Sequence, residues 1–324
     1  MAKVLVTGGN GFVGSNLALK LASQGHKVIA TDKEVRTTLL NSKLKQVIKP
    51  LEDLINPSTT YWDSLIGPID ILFHEAAITD TYVADRSEMF RVNLHLSMDL
   101  FQKAVEKGCK KIVYASSTAV YGDSEAPYKE GVTKESPLNV YGSSKMALDQ
   151  WAAGFASRNS DILIVGLRYC NIYGPREEHK GKLKIVSKEG EIFEMASMIY
   201  QLAQQITSGK NPRIFKFGEQ KRDFIYIDDL VRATILASRA RESCIVNCGS
   251  GKATTFNEIV DLLNQILGTN KKTEYFDIPE SIKRNYQSYT QCDMSLAREK
   301  IGFEPKFDIE SGIKAYYESG FLTA

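Results

Sequence analysis

Residues 3–32 read KVLVTGGNGFVGSNLALKLASQGHKVIATD, and this stretch decides the fold. The run from Lys3 to Thr7 is short, apolar and β-branched, as is typical of a buried parallel strand. A glycine-rich turn follows, and the leucine-rich segment after it predicts a helix that ends near Gly25. A second apolar strand runs from Lys27 to Asp32. The stretch therefore predicts a strand–helix–strand unit with glycines in its first turn.

Three glycines in that turn, Gly8, Gly11 and Gly14, follow a GxxGxxG spacing. Because they lack side chains, backbone N–H groups can approach a pyrophosphate at the positive end of the following helix. Asp32 stands about 20 residues further on, where an acid can bind a ribose hydroxyl. A glycine triplet alone also fits a helix start without a ligand, but its place between a strand and a helix favours a dinucleotide site.

The residues after the second strand bear on which dinucleotide binds. Asp32 favours the free 2′-hydroxyl of NAD, which is the expected cofactor. Lys33 and Arg36 follow closely and suit the 2′-phosphate of NADP, so NADP stays an alternative. A solvated loop explains the two cations equally well.

Strands and helices alternate over about the first 170 residues, which predicts an α/β fold with a doubly wound parallel sheet. Beyond Pro175 the chain becomes charged and glycine-bearing, which indicates a loop, and the later elements are less regular. We expect a Rossmann-type dinucleotide-binding domain over residues 1–175, with returning segments at about 223–248. A smaller α/β C-terminal domain, residues 176–222 and 249–324, would bind the substrate.

The totals exclude several classes of protein. The chain has 324 residues and a net charge of +2, so nothing indicates a nucleic-acid partner or an anionic membrane surface. No apolar run approaches the roughly 20 residues of a membrane span, and the first strand leaves no room for a signal peptide. The five cysteines contain no CxxC pair, so we expect no metal site. Their odd number suits free thiols in a reducing cytoplasm.

Tyr141 and Lys145 are four residues apart in a predicted helix, so their side chains face the same way. Using a phenol as a base at neutral pH requires its pKa to fall by about 3 units, or about 4 kcal/mol. We expect the Lys145 ammonium and an oxidised nicotinamide to supply this together. Ser117, at the end of a predicted strand, would orient the reacting oxygen. YxxxK alone is a common coincidence, but its position downstream of the glycine turn favours catalysis.

Several motifs together resemble the extended short-chain dehydrogenase/reductase family, specifically its nucleotide-sugar-modifying branch. They cover nearly the whole chain and read TGGNGFVG, HEAA, RVN at 91–93, SSTAVYG at 116–122, YGSSK, RYCNIYGPRE and RDFIYIDD at 222–229. The resemblance implies a nucleotide-sugar epimerase with a tightly bound nicotinamide cofactor. Its partner would be a nucleoside diphosphate sugar, from which a hydride is removed and then returned to the opposite face.

The resemblance also implies roles for particular residues. Tyr141 would be the acid/base, Lys145 would hold the nicotinamide ribose, and Ser117 would polarise the substrate. The cofactor would be lined by Gly8, Gly11, Phe12, Val13, Asp32, Lys33, Ala76, Asn93, Lys145 and Ile172. The nucleotide-sugar would be held by Ser117, Asn171, Arg222 and Tyr286, since a guanidinium suits bidentate binding of a diphosphate.

Within that branch the chain most resembles the family of ADP-glycero-manno-heptose 6-epimerases. The loop YGPREEHKGK and the later segment RNYQSYTQCD carry this likeness. In that family a lysine of the HKG triplet is a second acid/base, and it would be Lys180 here. The segment of residues 182–194 is longer than we expect for the corresponding loop in that family. Gln201 stands where a substrate-binding histidine is expected.

The alternatives are a UDP-sugar 4-epimerase, for a substrate of the UDP-glucose, UDP-GlcNAc or UDP-glucuronate type, and an oxidoreductase with an exchangeable cofactor. A nucleotide-sugar 4,6-dehydratase needs an Asp-Glu pair directly after its catalytic Ser or Thr. This chain has Thr118 and Ala119 there, which disfavours elimination of water. A scaffold protein without turnover would not need Ser117, Tyr141 and Lys145 together.

Residues 87–107 predict one amphipathic helix, whose apolar face runs from Phe90 to Val105. The resemblance implies that this face and the helix from Tyr141 pair with their symmetry mates, giving a homodimer or a higher homo-oligomer. The same stripe also suits packing on the sheet, and the two arrangements are compatible.

Overall fold

A parallel sheet of seven strands forms the centre of the structure. The computed structural model describes residues 1–36, 39, 42, 44–80, 85–186, 192–283 and 286–323, except for the side chains of residues 184–186, 192, 193, 281 and 282. The strands, numbered along the chain, are β1 Lys3–Thr7, β2 Lys27–Asp32, β3 Lys45–Ile48, β4 Ile71–His74, β5 Lys111–Ser117, β6 Leu163–Tyr169, β7 Asn171–Tyr173, β8 Lys184–Val186, β9 Ile192–Glu194, β10 Arg213–Phe215, β11 Lys221–Tyr226, β12 Cys244–Cys248, β13 Ala253–Thr255 and β14 Glu274–Phe276.

The order of strands in the central sheet is β3–β2–β1–β4–β5–β6–β12, and every neighbouring pair is parallel. The strand order reverses between β1 and β4, which is the switch point where ligands bind in an open α/β sheet. The predicted doubly wound sheet is confirmed. The late strand β12 returns to the sheet beside β6, as the sequence predicted.

Helices cover both faces of this sheet because its strands are apolar on both sides. Val4 and Val6 of β1 pack with Leu17 in one buried cluster, whereas Leu5 packs with Phe101 in the other. None of the helices in the described part of the chain combines the length and apolar composition of a membrane span. The helices are α1 Phe12–Ser23, α2 Leu51–Ile55, α3 Arg86–Phe90, α4 Leu96–Glu106, α5 Val140–Arg158, α6 Glu178–Gly181, α7 Met198–Thr207, α8 Ile227–Ala237, α9 Phe256–Leu267, α10 Glu280–Lys283, α11 Ser295–Ile301 and α12 Ile309–Glu318.

The later strands build smaller sheets. β11 pairs parallel with β7 and antiparallel with β13, β10 pairs parallel with β14, and β8 and β9 form an antiparallel hairpin. Because β7 carries Asn171 and β11 carries Arg222, their pairing joins two predicted substrate residues from distant parts of the chain. The division of the chain into two domains at residue 175 stays a prediction.

Some elements differ from the sequence-based expectations. The helix expected over 87–107 contains a π-helical turn at Arg91–His95, between α3 and α4. Such turns are rare and frequently lie at functional sites, and apolar spacing does not reveal them. The expected loop over 176–191 contains α6 and the strand β8, whose backbone pairs with β9. The charged side chains of this segment gave no sign of the pairing, because backbone hydrogen bonds hold the two strands together whatever their side chains are.

Cys170 and Cys292 are joined by a disulfide across 122 residues of chain, and both are buried. The expectation of thiols in a reducing cytoplasm does not hold for this pair, because the fold brings together two cysteines that are far apart in the chain. Their sulfurs and the Asp223 carboxylate have the spacing of metal ligands. That carboxylate already accepts backbone N–H bonds from Ser250, Gly251 and Cys292.

Candidate active site

A glycine-rich turn between β1 and α1 forms one wall of a crevice at the switch point. Gly8 has a φ of +64°, and a Cβ there would lie 2.8 Å from the Ala76 backbone nitrogen. A Cβ on Gly14 would lie 2.1 Å from the Gly8 carbonyl oxygen, so the turn needs both glycines. In the described structure α1 begins without a side-chain cap or an acid in its first turn, so its N–H groups face outward for an anion. The turn fits a dinucleotide pyrophosphate.

Asp32 ends β2 beside this turn. Its carboxylate accepts the N–H groups of Asn10 at 3.0 Å and of Glu34 at 3.4 Å. Lys33 and Arg36 both lie near the Glu34 carboxylate, at 4.0 and 3.6 Å. Because these cations have Glu34 as a partner, Asp32 remains the charged group next to the turn, which supports NAD over NADP. The buried Asn10 Oδ1 has no hydrogen-bond partner among the described residues, as expected beside a polar ligand.

Four more of the predicted cofactor residues, Phe12, Val13, Ala76 and Asn93, lie around the same crevice, whereas Ile172 lines the cavity described below. Ala76 backs onto the glycine turn, and Phe12 and Val13 open α1. Asn93 is buried in the π-helical turn, where its side chain bonds the N–H of Ile78 at 2.8 Å and its carbonyl at 3.0 Å. This holds the segment after β4 in place. We call the glycine turn, Asp32, Ala76 and Asn93 together the cofactor crevice.

The structure brings the predicted catalytic side chains together. Asn139 caps α5 by accepting a backbone N–H at 2.8 Å, and Tyr141 lies in the first turn of that helix. The Lys145 Nζ donates to the Ala115 carbonyl at 2.9 Å and lies 5.9 Å from the centroid of the Tyr141 ring. Ser117 ends β5, where its hydroxyl accepts the backbone N–H of Ala119 at 3.1 Å, and it is close enough to act on the Tyr141 hydroxyl.

The charge states of these side chains are set mainly by burial. Burial raises the pKa of Tyr141, and the hydrogen bond with Ser117 opposes that rise. Burial lowers the pKa of Lys145 to about 8, against the raising effects of Glu75 and Asp149. In the protein alone, desolvation of the phenolate is the largest effect on the Tyr141 pKa. The expectation that Lys145 and an oxidised nicotinamide lower this pKa together stays a prediction. A depressed pKa depends on Ser117 and on the positive ring of an oxidised nicotinamide.

A buried charged network behind α5 supports the catalytic helix, and sequence reasoning missed it. Asp149, one turn after Lys145, accepts hydrogen bonds from Arg168 Nε and from the Tyr114 hydroxyl, both at 2.9 Å. Arg168 also donates to the Tyr121 hydroxyl at 2.9 Å. The sequence signal was an arginine within the apolar strand β6, whose partners lie too far along the chain to be named in advance.

Lys180 returns toward the cofactor crevice from the segment after β7. Its Nζ lies 5.5 Å from the centroid of the Phe12 ring. Burial lowers the pKa of Lys180, Glu177 opposes this, and Arg36 adds to the lowering. The cation that lowers this pKa therefore comes from the segment after β2, and not from the charged run that surrounds Lys180 in the sequence.

A cavity of about 410 Å³, which we call the substrate cavity, lies beside Lys180. Ala119 and Asn139 also line it, and they adjoin the elements that carry Ser117 and Tyr141. The cavity therefore reaches residues that lie two positions along the chain from Ser117 and from Tyr141. The predicted site residues in its lining are Asn171, Ile172, Lys180, Arg222 and Tyr286.

Aromatic rings and a buried cation form one wall of the substrate cavity. The Arg222 guanidinium lies 4.8 Å from the Tyr286 ring centroid and 5.8 Å from that of Phe256. Phe215 meets Tyr286 edge-on at 5.4 Å and lies 4.9 Å from Phe276. Such a wall suits a nucleotide base beside a diphosphate. Sequence reasoning missed Phe215 and Phe276, because an aromatic residue in a short strand indicates core packing equally well.

The longer loop noticed in the sequence is the hairpin of β8 and β9, which brings Glu194 into the wall of the substrate cavity. Gln201, at the position where a histidine was expected, also lines this wall. Its Nε2 donates to the carbonyls of Glu194 at 3.0 Å and of Ala196 at 2.7 Å. The amide therefore supports the hairpin at the cavity.

Comparisons with known proteins identify the class. The chain belongs to the NAD dependent epimerase/dehydratase family, whose model matches residues 4–249. It is 36% identical to the ADP-L-glycero-D-manno-heptose-6-epimerase of Alkalilimnicola ehrlichii over 326 residues, which cover 98% of this chain and 97% of that protein.

Solved structures give the same result. The ADP-L-glycero-D-manno-heptose-6-epimerase of Helicobacter pylori is 35% identical with a TM-score of 0.85, covering 98% of this chain and 96% of that one. The UDP-glucose 4-epimerase of Thermotoga maritima is 28% identical with a TM-score of 0.84, covering 98% and 99%. The prediction of a nucleotide-sugar epimerase with NAD as its cofactor is confirmed. The roles of the individual residues stay predictions.

Proposed function

We propose that the protein is a 6-epimerase of ADP-glycero-manno-heptose. The observation that carries the proposal is the position of Lys180, which contacts Phe12 at the start of α1, beside the cofactor crevice, and also lines the substrate cavity. A second acid/base at that point suits a substrate whose oxygen is protonated from different sides in the two half-reactions. The relatives at 36% and 35% identity, which span nearly the whole chain, support the same substrate.

The residues would share the reaction as follows. When bound, NAD supplies reversible acceptance of a hydride from the sugar carbinol. Tyr141 takes the carbinol proton while Ser117 holds the oxygen, and Lys145 stabilises the phenolate. The reacting carbon of this substrate lies outside the sugar ring, so rotation of its side chain presents the other face of the carbonyl. Lys180 then protonates the oxygen, and exchange with solvent restores both bases.

The substrate cavity would hold the nucleotide. The Arg222 guanidinium is buried in the aromatic wall, where it can bind both phosphates in a bidentate manner. The Tyr286 ring would pack against the base or its ribose, and Asn171 would bind the sugar from β7. The reacting sugar would then lie between Tyr141 and Lys180.

We further propose a homodimer or a higher homo-oligomer formed through α4 and α5. Trp151 and Phe155 stack at 4.8 Å on α5 and are partly exposed, which favours an apolar interface there. Light scattering at micromolar concentration should give at least twice the 36.2 kDa mass of the chain. A single species of 36.2 kDa would remove this proposal. A cytoplasmic location and the domain division at residue 175 are likewise proposed.

A substrate panel tests the function. The purified protein is incubated, without added NAD, with both ADP-glycero-manno-heptose epimers and with UDP-glucose, UDP-GlcNAc and UDP-glucuronate, and the products are identified by NMR. We expect the heptose epimers to interconvert. Epimerisation of a UDP-sugar at C4 without turnover of the heptose would replace the proposal with a UDP-sugar 4-epimerase, the activity named for the Thermotoga maritima structure.

A further inference from the structure

Glu75 is a partly buried acid that the proposed mechanism does not use. It follows directly after β4, at the carboxyl end of the central sheet. Its N–H donates to the Thr7 carbonyl at 3.3 Å, and a Cβ on Gly8 would lie 2.9 Å from its carbonyl carbon. The neighbouring Ala76 belongs to the cofactor crevice. Glu75 therefore lies at the switch point, where a dinucleotide binds in this type of sheet.

The Glu75 side chain points across the sheet toward β6. The Tyr169 hydroxyl lies 3.1 and 3.3 Å from its two carboxylate oxygens and 3.2 Å from the Thr234 hydroxyl. Thr234 donates its own hydrogen to the Leu230 carbonyl at 2.9 Å, so the Tyr169 hydrogen is available to the carboxylate. Tyr169 pairs with Ser117 in the register of β5 and β6, which places this carboxylate beside the catalytic strand.

Lys145 is the cation that acts on Glu75 from the catalytic helix. Each group raises the stability of the charged form of the other: Glu75 raises the pKa of Lys145, and Lys145 lowers that of Glu75. Three titratable groups near Glu75, namely His74, Tyr169 and Cys248, are uncharged near pH 7 because of their burial. Burial lowers the pKa of His74 to about 3, and it raises the pKa values of Tyr169 and Cys248 well above their usual range.

We propose that Glu75 tunes the charge of the cofactor crevice: its carboxylate balances the Lys145 ammonium and favours the oxidised, positively charged form of the nicotinamide over the neutral reduced form. An ammonium alone beside the ring would disfavour the oxidised form, because like charges repel. This goes beyond the proposed function, since it depends on the nicotinamide site and on no particular sugar.

Protonation of Glu75 should switch this preference within the physiological range. Burial raises the pKa of Glu75 to about 7, while the Tyr169 hydrogen bond and Lys145 lower it. Above pH 7 the carboxylate is charged and the oxidised cofactor is favoured; below pH 7 it is neutral and the preference weakens. Lys145, with a pKa near 8, titrates close to this window, so the decisive comparison is between wild type and a Glu75 variant at one fixed pH.

The test is a competition between NAD⁺ and NADH on the purified holoprotein, with no sugar present. The bound fractions are read from the fluorescence of the reduced ring between pH 6 and pH 8.5. We expect the wild type to favour NAD⁺ increasingly as the pH rises through 7. In Glu75→Gln, which keeps an oxygen for the Tyr169 hydroxyl, the preference at pH 8 should fall roughly tenfold, as loss of one nearby charge implies.

Tyr169→Phe is the matched control, because it removes the hydrogen bond and keeps the carboxylate. Since that bond lowers the pKa of Glu75, the pH at which NAD⁺ becomes favoured should move upward with the same final preference. An unchanged NAD⁺ preference in Glu75→Gln at pH 8 would overturn the proposal. So would a Tyr169→Phe variant that loses the preference at every pH, which would indicate a structural role. Because no sugar is present, failure of the 6-epimerase proposal would leave these results unaffected.

Discussion

The cofactor crevice and the substrate cavity meet at the same edge of the sheet, but they are built in different ways. The crevice takes its shape mainly from backbone, namely the glycine turn and the uncapped start of α1, with the Asp32 carboxylate beside them. All of these come from residues 8–32. The cavity is assembled from side chains that lie between Ala119 and Gln287 in the chain. Its wall depends on pairing of β7 with β11 and of β10 with β14.

This difference has a chemical consequence. All dinucleotides present the same pyrophosphate, so a rigid backbone cradle suffices to bind it. Nucleotide-sugars differ in base, sugar and ring substituents, and side chains on short strands can vary without disturbing the central sheet. We therefore expect variants in the two regions to separate cofactor affinity from substrate turnover.

The largest effect is expected where crevice and cavity meet. Tyr141→Phe and Lys180→Ala should each slow epimerisation by roughly 10² or more, because each removes a general acid–base group. Cofactor binding should remain largely intact in both, since the glycine turn is untouched. Steady-state rates together with the amount of NAD that copurifies measure the two properties separately.

Lys182→Ala is the matched control for Lys180, because Lys182 is exposed on the same segment. It should leave the rate within about twofold of wild type, as expected for a solvated charge. Near-normal turnover of Lys180→Ala with an inactive Tyr141→Phe would contradict the two-base scheme. A single base with a sugar that turns in the site would then account for the reaction.

The next effect tests the backbone cradle. In Gly14→Ala the new methyl group would lie 2.1 Å from the Gly8 carbonyl oxygen, so the turn must open. We expect NAD affinity to fall by tenfold or more and stability to fall by about 1–3 kcal/mol, the usual cost of overpacking. Calorimetric titration with NAD and thermal unfolding measure these changes.

Gly154→Ala provides the contrast, since this helical glycine has as its nearest atom the flexible end of Arg158, at 3.3 Å. It should stabilise the protein by about 0.5–1 kcal/mol and leave NAD affinity unchanged. Equal NAD affinity in Gly14→Ala and wild type would show that the turn is not a close-contact cradle.

The same contrast explains what the sequence could predict. The strand–helix–strand unit and the Tyr141–Lys145 pair are local patterns, in which side-chain periodicity and glycine spacing specify the geometry directly. The network of Asp149 with Arg168 and the aromatic wall with Phe276 depend on which strands become neighbours. That information is spread over the whole chain, so a single sequence shows the residue types without their partners.

Arg222 lies between these two cases. The RDF motif identified it, while its ring contacts with Tyr286 and Phe256 emerged from the fold. Arg222→Met keeps the length of the side chain and removes the charge, so KM for the nucleotide-sugar should rise roughly ten- to hundredfold through loss of charge-assisted hydrogen bonds. NAD affinity should not change. Lys221→Met, an exposed neighbour on β11, should leave KM unaltered, and an equal rise there would point to general electrostatic attraction instead.

The smallest effect concerns the choice between NAD and NADP at the end of β2. Asp32 accepts two backbone N–H bonds beside the turn, and its negative charge repels a 2′-phosphate. Asp32→Asn keeps most of that geometry and removes the charge, so the ratio of NADP to NAD affinity should rise roughly tenfold, measured by calorimetric titration of both dinucleotides. Lys33→Ala should change the ratio little, because the Lys33 side chain is 73% exposed and lies near Glu34. A wild-type protein that prefers NADP tenfold or more would mean that Lys33 or Arg36 outweighs the carboxylate. The selectivity of the crevice would then come from these cations rather than from the Asp32 carboxylate.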